Sequence, residues 1–285
     1  MANVEDRSRQ KWSADAVRKY YREVHVRALR DNRDGLAPVL RDPDGSDLAN
    51  RATDYAHRQG MARALLYLST KFAAWSGLRV LDLGCGRGRW SRVYSARGAE
   101  VVGLDISVDA LQALSIELRA GHFVCGDVSM PPLADNSFDL VNSVTVIQHL
   151  PYDRQGPAVH SVARVLRPGG YFVMLENISD FECEYVYPRA ADDWMALASQ
   201  YQLSAEWRSG SNFEIPRRVL SRVNRFFTYA DGGAIERRQR PRGARGALET
   251  GARTIAALAT FPTEWACQRI PLASATHVVA VLRKS

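Results

Sequence analysis

The chain has 285 residues, of which 46% are hydrophobic and 24% charged, and its formal net charge is +7. This composition predicts a soluble globular protein with a sizeable core, and no apolar run approaches the roughly 20 residues that a membrane span needs. A charged N-terminus without a signal peptide and four scattered cysteines favour a reducing cytoplasm and argue against structural disulfides or a zinc cluster.

The first predicted elements are helical. Apolar and aromatic residues recur at helical spacing from about Trp12 to Leu29, and a second helix is predicted from near Leu48 to Phe72. Turn-forming residues separate the two helices, and Gly77 follows the second. Residues 1–76 are therefore predicted to form a helical extension, a lid or substrate region.

Strands then alternate with helices, which predicts an α/β fold with a parallel, doubly wound sheet. The predicted strands are Arg79–Leu83, Glu100–Asp105, His122–Cys125, Phe138–Ser143 and Tyr171–Glu176. The predicted helices between them are Trp90–Arg97, Val108–Ala120 and Pro157–Leu166. Arg167–Gly170 is predicted to be the turn before the fifth strand.

The first strand ends in an acidic residue and a glycine-rich turn, a pattern that predicts close approach of the backbone to a nucleoside. Asp82 precedes Gly84, Gly86 and Gly88, and the next strand ends at Asp105, placed to accept hydrogen bonds from a ribose. The third glycine comes one residue too early for the G-x-G-x-x-G pyrophosphate fingerprint. A carboxylate under the turn would repel a pyrophosphate but suits a ligand with an ammonium group. S-adenosylmethionine (SAM) has an ammonium, a sulfonium and no phosphate.

The segment Val-Leu-Asp-Leu-Gly-Cys-Gly at residues 80–86 resembles the first motif of the class I SAM-dependent methyltransferases. The resemblance implies a Rossmann-like, seven-stranded sheet whose last strand is antiparallel. It adds a helix at Asp193–Tyr201 and strands at Gln202–Trp207 and His277–Leu282. On this basis residues 77–208 form the SAM-binding core, 209–274 an insertion between the last two strands that caps the substrate, and 275–285 the final core strand.

Ligands of open α/β sheets bind outside the carboxyl ends of the strands, which turns the strand ends into candidate cofactor residues. The glycine loop would lie beside the methionine part of SAM, Asp105 would bind the ribose hydroxyls, and Asp127 would accept from the adenine amine, as the resemblance implies. Ser143 is placed for backbone contact with the methionine amino group. The predicted cofactor-binding residues are Asp82, Gly84, Cys85, Gly86, Asp105, Ile106, Asp127, Val128 and Ser143. A capping role for Asp127 and strand termination for Asp105 are the alternatives.

Transfer of a methyl group to a hydroxyl needs a base, and His149 is the candidate because it follows the fourth strand at the cofactor edge. Glu176 shares that edge and could orient His149 or bind a substrate hydroxyl. A purely structural role for His149 is the alternative. No metal constellation stands out, although Glu176 leaves Mg²⁺ open.

Other aromatic residues and histidines have weaker predicted roles. Tyr20 and Tyr21 on the first helix resemble the aromatic lids of small-molecule methyltransferases, with helix packing as the alternative. His25 and His57 could face the pocket, but nothing in their spacing distinguishes them from surface histidines. His122, His160 and His277 are predicted to be structural residues of core elements.

The predicted function is SAM-dependent methylation of a hydroxyl on a small polar metabolite, such as a sugar, a polysaccharide precursor or a natural product. N-methylation of an amine or amino sugar is the alternative, and it shares every cofactor residue. RNA methylation is a remote alternative, because the arginine-rich segment Arg237–Arg245 lacks aromatic residues for base stacking. The expected partner is a small molecule; a nucleic acid is disfavoured, no membrane span is predicted, and a homodimer is left open.

Overall fold

The computed structural model describes residues 19, 23, 47–178, 186–213, 272 and 275–285. Several predictions lie outside these residues. They are most of the first helix, the lid residues Tyr20 and Tyr21, His25, most of the insertion and the arginine-rich segment.

In the described part of the chain, seven strands form one sheet in the order β3-β2-β1-β4-β5-β7-β6. The strands are β1 (Arg79–Leu83), β2 (Glu100–Asp105), β3 (His122–Cys125), β4 (Phe138–Val144), β5 (Leu166–Asn177), β6 (Leu203–Phe213) and β7 (Ala275–Lys284). All pairs from β3 to β5 are parallel, and β7 runs antiparallel to both β5 and β6. The predicted Rossmann-like sheet with an antiparallel last strand is confirmed.

Helices cover both faces of this sheet. They are α1 (Asp47–Leu68), α2 (Arg89–Ser95), α3 (Val108–Glu117), α4 (Tyr152–Val165) and α5 (Ala191–Ser199), with a 3-10 turn at Ile147–His149. Leu65 of α1 and Tyr94 of α2 pack with Val173 and Val279 on one face, whereas Val159 of α4 and Trp194 of α5 pack on the other. Because helices cover both faces, a ligand can reach the sheet only where the strands end. None of these described helices is long and apolar enough to cross a bilayer.

The α1 helix, which lies in the region predicted as a lid or substrate region, packs in the core layer on one face of the sheet. A Cβ on Gly60 would lie 2.7 Å from Val279 and 2.9 Å from the hydroxyl of Ser211. Arg63 also donates to the Gly210 carbonyl at 2.7 Å, and Ser211 Oγ donates to the Ala56 carbonyl at 2.9 Å. The close approach ties α1 to the ends of β6 and β7.

Three predicted boundaries differ most from the structure, each for a local reason. The α4 helix begins at Tyr152, not at Pro157, because the proline lies inside the helix instead of in its first turn. The segment Arg167–Gly170 is part of β5, with a register shift against β4 and a left-handed Gly169. The β6 strand continues to Phe213, past the predicted core boundary at 208, since β7 pairs with it along that length.

Candidate active site

The glycine loop after β1 is left-handed at Gly84, Gly86 and Gly88, with φ of 65°, 51° and 77°. Two of these glycines are also required by packing. A Cβ on Gly84 would lie 2.5 Å from a methyl group of Val146, and one on Gly88 would lie 2.2 Å from Leu114. The loop is therefore locked between the chain after β4 and helix α3, which fixes the position of its backbone.

Asp105 at the end of β2 places a carboxylate inside this loop. One oxygen accepts a 2.7 Å hydrogen bond from the Gly86 N–H, and the other accepts from the Ser107 N–H at 2.8 Å. Phosphate-binding loops offer such N–H groups to the phosphate. Here an acidic side chain takes the Gly86 N–H and adds a negative charge, which disfavours a pyrophosphate at this position.

Asp82 lies beneath the loop with its side chain turned into the core. It is 2% exposed and accepts hydrogen bonds from Ser91 Oγ at 2.6 Å and Asn142 Nδ2 at 2.7 Å. Burial raises the pKa of this carboxyl to about 6, against the opposing effect of its hydrogen bonds. In this arrangement Asp82 joins β1 to α2 and β4, and its contact with an ammonium group stays a prediction.

The predicted adenine-side residues follow β3. Asp127 accepts from the N–H and the hydroxyl of Ser129 through one oxygen, and from Arg154 at 2.9 Å through the other. Val128 beside it is 9% exposed. An adenine amine at Asp127 would share the second oxygen with Arg154, for which no role was predicted.

Glu176, predicted to orient His149 or to bind a substrate hydroxyl, is buried beneath the chain that follows β4. It is 0% exposed and accepts four hydrogen bonds, one from the hydroxyl of Ser143 and three from backbone N–H groups of residues 146–148. Burial raises its pKa to about 7, although these hydrogen bonds lower it. Glu176 and Ser143 thus hold the 3-10 turn that ends in His149.

His149 is the half-buried last residue of that turn, at the carboxyl edge of the sheet where the sequence placed it. Its backbone N–H donates to the Val146 carbonyl at 3.0 Å. Thr145, just before the turn, has φ of 55°, an uncommon and strained backbone for a β-branched residue. After β4 the chain passes through a strained turn whose backbone N–H groups donate to the Glu176 carboxylate. Such a turn is a typical setting for a functional side chain.

A second group of polar residues, which the sequence did not distinguish, lies at the same edge near α1. Arg89, directly after the glycine loop, pairs with Asp54 of α1 at 2.6 Å. One turn further along α1, the His57 ring lies 5.0 Å from the His277 ring of β7. Asp54 and Arg89 are 35 residues apart in the chain, and His57 and His277 are 220 residues apart. Their positions in the sequence therefore do not indicate these contacts.

The other histidines divide differently from the prediction. His277 is 7% exposed and in a core strand, as expected. His122 and His160 are exposed, because their elements turn them towards solvent. No group of three His, Cys, Asp or Glu side chains that could hold a metal ion occurs among the described residues.

Comparisons with known proteins agree on the type of domain. A family model described as a methyltransferase domain matches residues 81–174. A malonyl-[acyl-carrier protein] O-methyltransferase of Enterobacter lignolyticus is 38% identical over 163 residues, which cover 57% of this chain and 62% of the relative. The chain spans 45% and 62% of the lengths of the first two curated relatives, both with this name.

Solved structures of low identity share the fold. A [4+2]-cyclase, SpnF, superposes with a TM-score of 0.59 at 16% identity, over 95% of this chain and 96% of its own. Magnesium protoporphyrin IX methyltransferase from Synechocystis, with bound S-adenosylhomocysteine (SAH), superposes with a TM-score of 0.57 at 17% identity, over 70% and 94%. Since one of the two is named a cyclase, the shared fold alone does not fix the reaction.

Proposed function

Because the chain carries a class I SAM-dependent methyltransferase domain, we propose that the protein transfers a methyl group from SAM to an oxygen atom of a small molecule. The acceptor that fits best is a hydroxyl of a small polar metabolite. N-methylation of an amine would use the same cofactor residues and differs only in the product.

The observation that carries the proposal is the Asp105 carboxylate on the Gly86 N–H at 2.7 Å. This contact places a negative charge at the glycine loop. A dinucleotide-binding site would instead offer backbone N–H donors to a phosphate at the same position. The same carboxylate, at the end of β2, can accept from the two hydroxyls of a ribose in charge-assisted hydrogen bonds. A nucleoside that carries positive charge and no phosphate meets both conditions.

The residues present fit such a cofactor along the carboxyl edge of the sheet. Asp105 after β2 would hold the ribose with Ile106 beside it, and Asp127 with Val128 after β3 would lie at the adenine. The backbone of Gly84, Cys85 and Gly86 would lie along the methionine part. When bound, SAM would supply an electrophilic methyl group on a positively charged sulfur.

The remaining chemistry is positioning and removal of a proton. A hydroxyl oxygen must lose its proton as it takes the methyl group, and a positioned base adds about 10²–10⁴-fold to such a rate. We assign this role to His149, on the turn that Glu176 holds from below. The names of the curated relatives support an oxygen acceptor, although their malonyl-[acyl-carrier protein] acceptor carries a carboxylate that needs no base.

The test is methyl transfer from isotope-labelled SAM to a panel of phenols, sugars, carboxylic acids and amines, with products identified by mass spectrometry. Wild-type protein is expected to label a hydroxylated compound. His149→Asn should lower the transfer rate about 10²-fold or more while the affinity for SAM is retained. His160→Asn, at an exposed position on α4, serves as the matched control.

Two outcomes would contradict parts of this account. An unchanged rate in His149→Asn would remove the base from the mechanism. Labelling of amines alone would replace O-methylation with N-methylation and leave the cofactor site as described.

A further inference from the structure

His57 is a buried polar side chain that the proposed cofactor and base do not use. It is 2% exposed, and neither ring nitrogen has a hydrogen-bond partner among the described residues. Leaving a buried donor or acceptor unpaired is destabilising, and buried polar groups in native proteins are paired in the large majority of cases. The unpaired ring nitrogens therefore make His57 a candidate ligand-binding residue.

Polar residues lie near His57, at the side of the sheet where β5 and β6 end and β7 begins. His277 pairs in register with Asn177 at the end of β5 and with Ser211 near the end of β6. Its Nδ1 lies 3.0 Å from the hydroxyl of Thr276. The His57–His277 pair thus lies where the carboxyl ends of β5 and β6 flank the amino end of the antiparallel β7.

The sheet order separates this pair from the cofactor residues. Asp105 and Asp127 follow β2 and β3, on one side of β1, while β4, β5, β7 and β6 extend on the other side. The glycine loop lies at the end of β1, between the two halves, and Arg89 after the loop reaches α1 through Asp54. A molecule that takes a methyl group beside the loop would extend over the half that holds His57.

The groups that face His57 keep its imidazole neutral. Burial lowers its pKa well below the usual value, and His277 and Arg89 lower the pKa further. Arg89 forms an ion pair with Asp54 of α1. Arg58, also on α1, is the other charged residue near Arg89. A neutral imidazole has one donor and one acceptor nitrogen, which matches a hydroxyl better than a carboxylate or an ammonium.

We propose that His57 is an acceptor-binding residue that hydrogen-bonds a neutral hydroxyl of the methyl acceptor and selects hydroxylated molecules over charged ones. This inference rests on the proposed function and adds a residue on α1 to it.

The test compares His57→Phe with wild type in three measurements: thermal unfolding, calorimetric affinity for SAM, and transfer to the best hydroxylated compound of the panel. Phenylalanine keeps the ring and removes the unpaired nitrogens, so the melting temperature is expected to stay equal or rise. SAM affinity should be unchanged. The transfer rate at low acceptor concentration should fall about 10-fold or more, mainly through KM, because a hydrogen bond to the acceptor is lost.

His57→Asn and His160→Phe complete the design. Asparagine retains a donor and an acceptor at position 57 and is expected to restore part of the acceptor affinity, while His160→Phe should change nothing. A His57→Phe protein that is folded and transfers methyl groups as wild type does would overturn the inference and make His57 a core histidine. A wild type that binds SAM but labels no hydroxyl would instead overturn the proposed function, and this inference with it.

Discussion

At the residue scale, the acids that end β1 and β2 show what a sequence position can and cannot predict. Both were predicted to face the cofactor. Asp105 does reach into the glycine loop, but Asp82 lies on the same face as Val80 and is turned towards α2. Side chains alternate between faces along a strand, so the direction of Asp82 follows from its even spacing to a core valine. The motif that suggested a ligand contact for Asp82 does not by itself indicate this direction of the side chain.

Asp82→Asn tests that buried position through pH. The folded-state pKa is raised from 3.8 to about 6, so the folded protein holds a proton that the unfolded chain releases in that range. This contribution to stability is present below about 3.8 and is lost as the pH rises through about 6, and it amounts to about 3 kcal/mol at most. Urea unfolding from pH 4 to 7.5 should show the wild type losing stability relative to Asp82→Asn. A constant difference between the two proteins would show that Asp82 ionises normally.

At the element scale, the chain between β4 and α4 is the part of the site that sequence reasoning placed correctly but did not explain. His149 was predicted at the carboxyl edge with Glu176 as a residue that could orient it, whereas the 3-10 turn, the strained Thr145 and the burial of Glu176 beneath them were not predicted. Periodicity cannot reveal such a turn, because a side chain 30 residues later supplies the partners of its N–H groups. The site is thus built by contacts between elements.

The packing of the glycine loop against this turn gives a second prediction. Gly84→Ala places a Cβ 2.5 Å from Val146 at a φ of 65°, and it should destabilise the protein by about 2–4 kcal/mol. Adding Val146→Ala removes the steric contact but not the backbone strain, so denaturant unfolding of the double variant should show partial recovery. Additive losses in the double-mutant cycle would contradict a direct contact between the two residues.

At the scale of the whole molecule, the core of the fold was predictable and the acceptor side was not. The bounds of β1, β2 and β3 equal the predicted ones, because short apolar runs between turn signals define parallel strands well. The docking of α1, which was predicted only as part of a lid or substrate region, was not foreseen, because it depends on Gly60 meeting β6 and β7 more than 140 residues later. Long-range packing of this kind leaves no local signal in the sequence.

The central claim is that the sheet edge binds a positively charged nucleoside without phosphates, and calorimetric titration tests it most directly. Wild-type protein is expected to bind SAM and SAH and not NAD. Asp105→Asn should weaken SAM binding about 10- to 100-fold through the lost charge-assisted hydrogen bonds, while Glu100→Gln at the opposite, exposed end of β2 should bind as wild type does. Binding of NAD in place of SAM, or SAM affinity that does not depend on Asp105, would contradict the account.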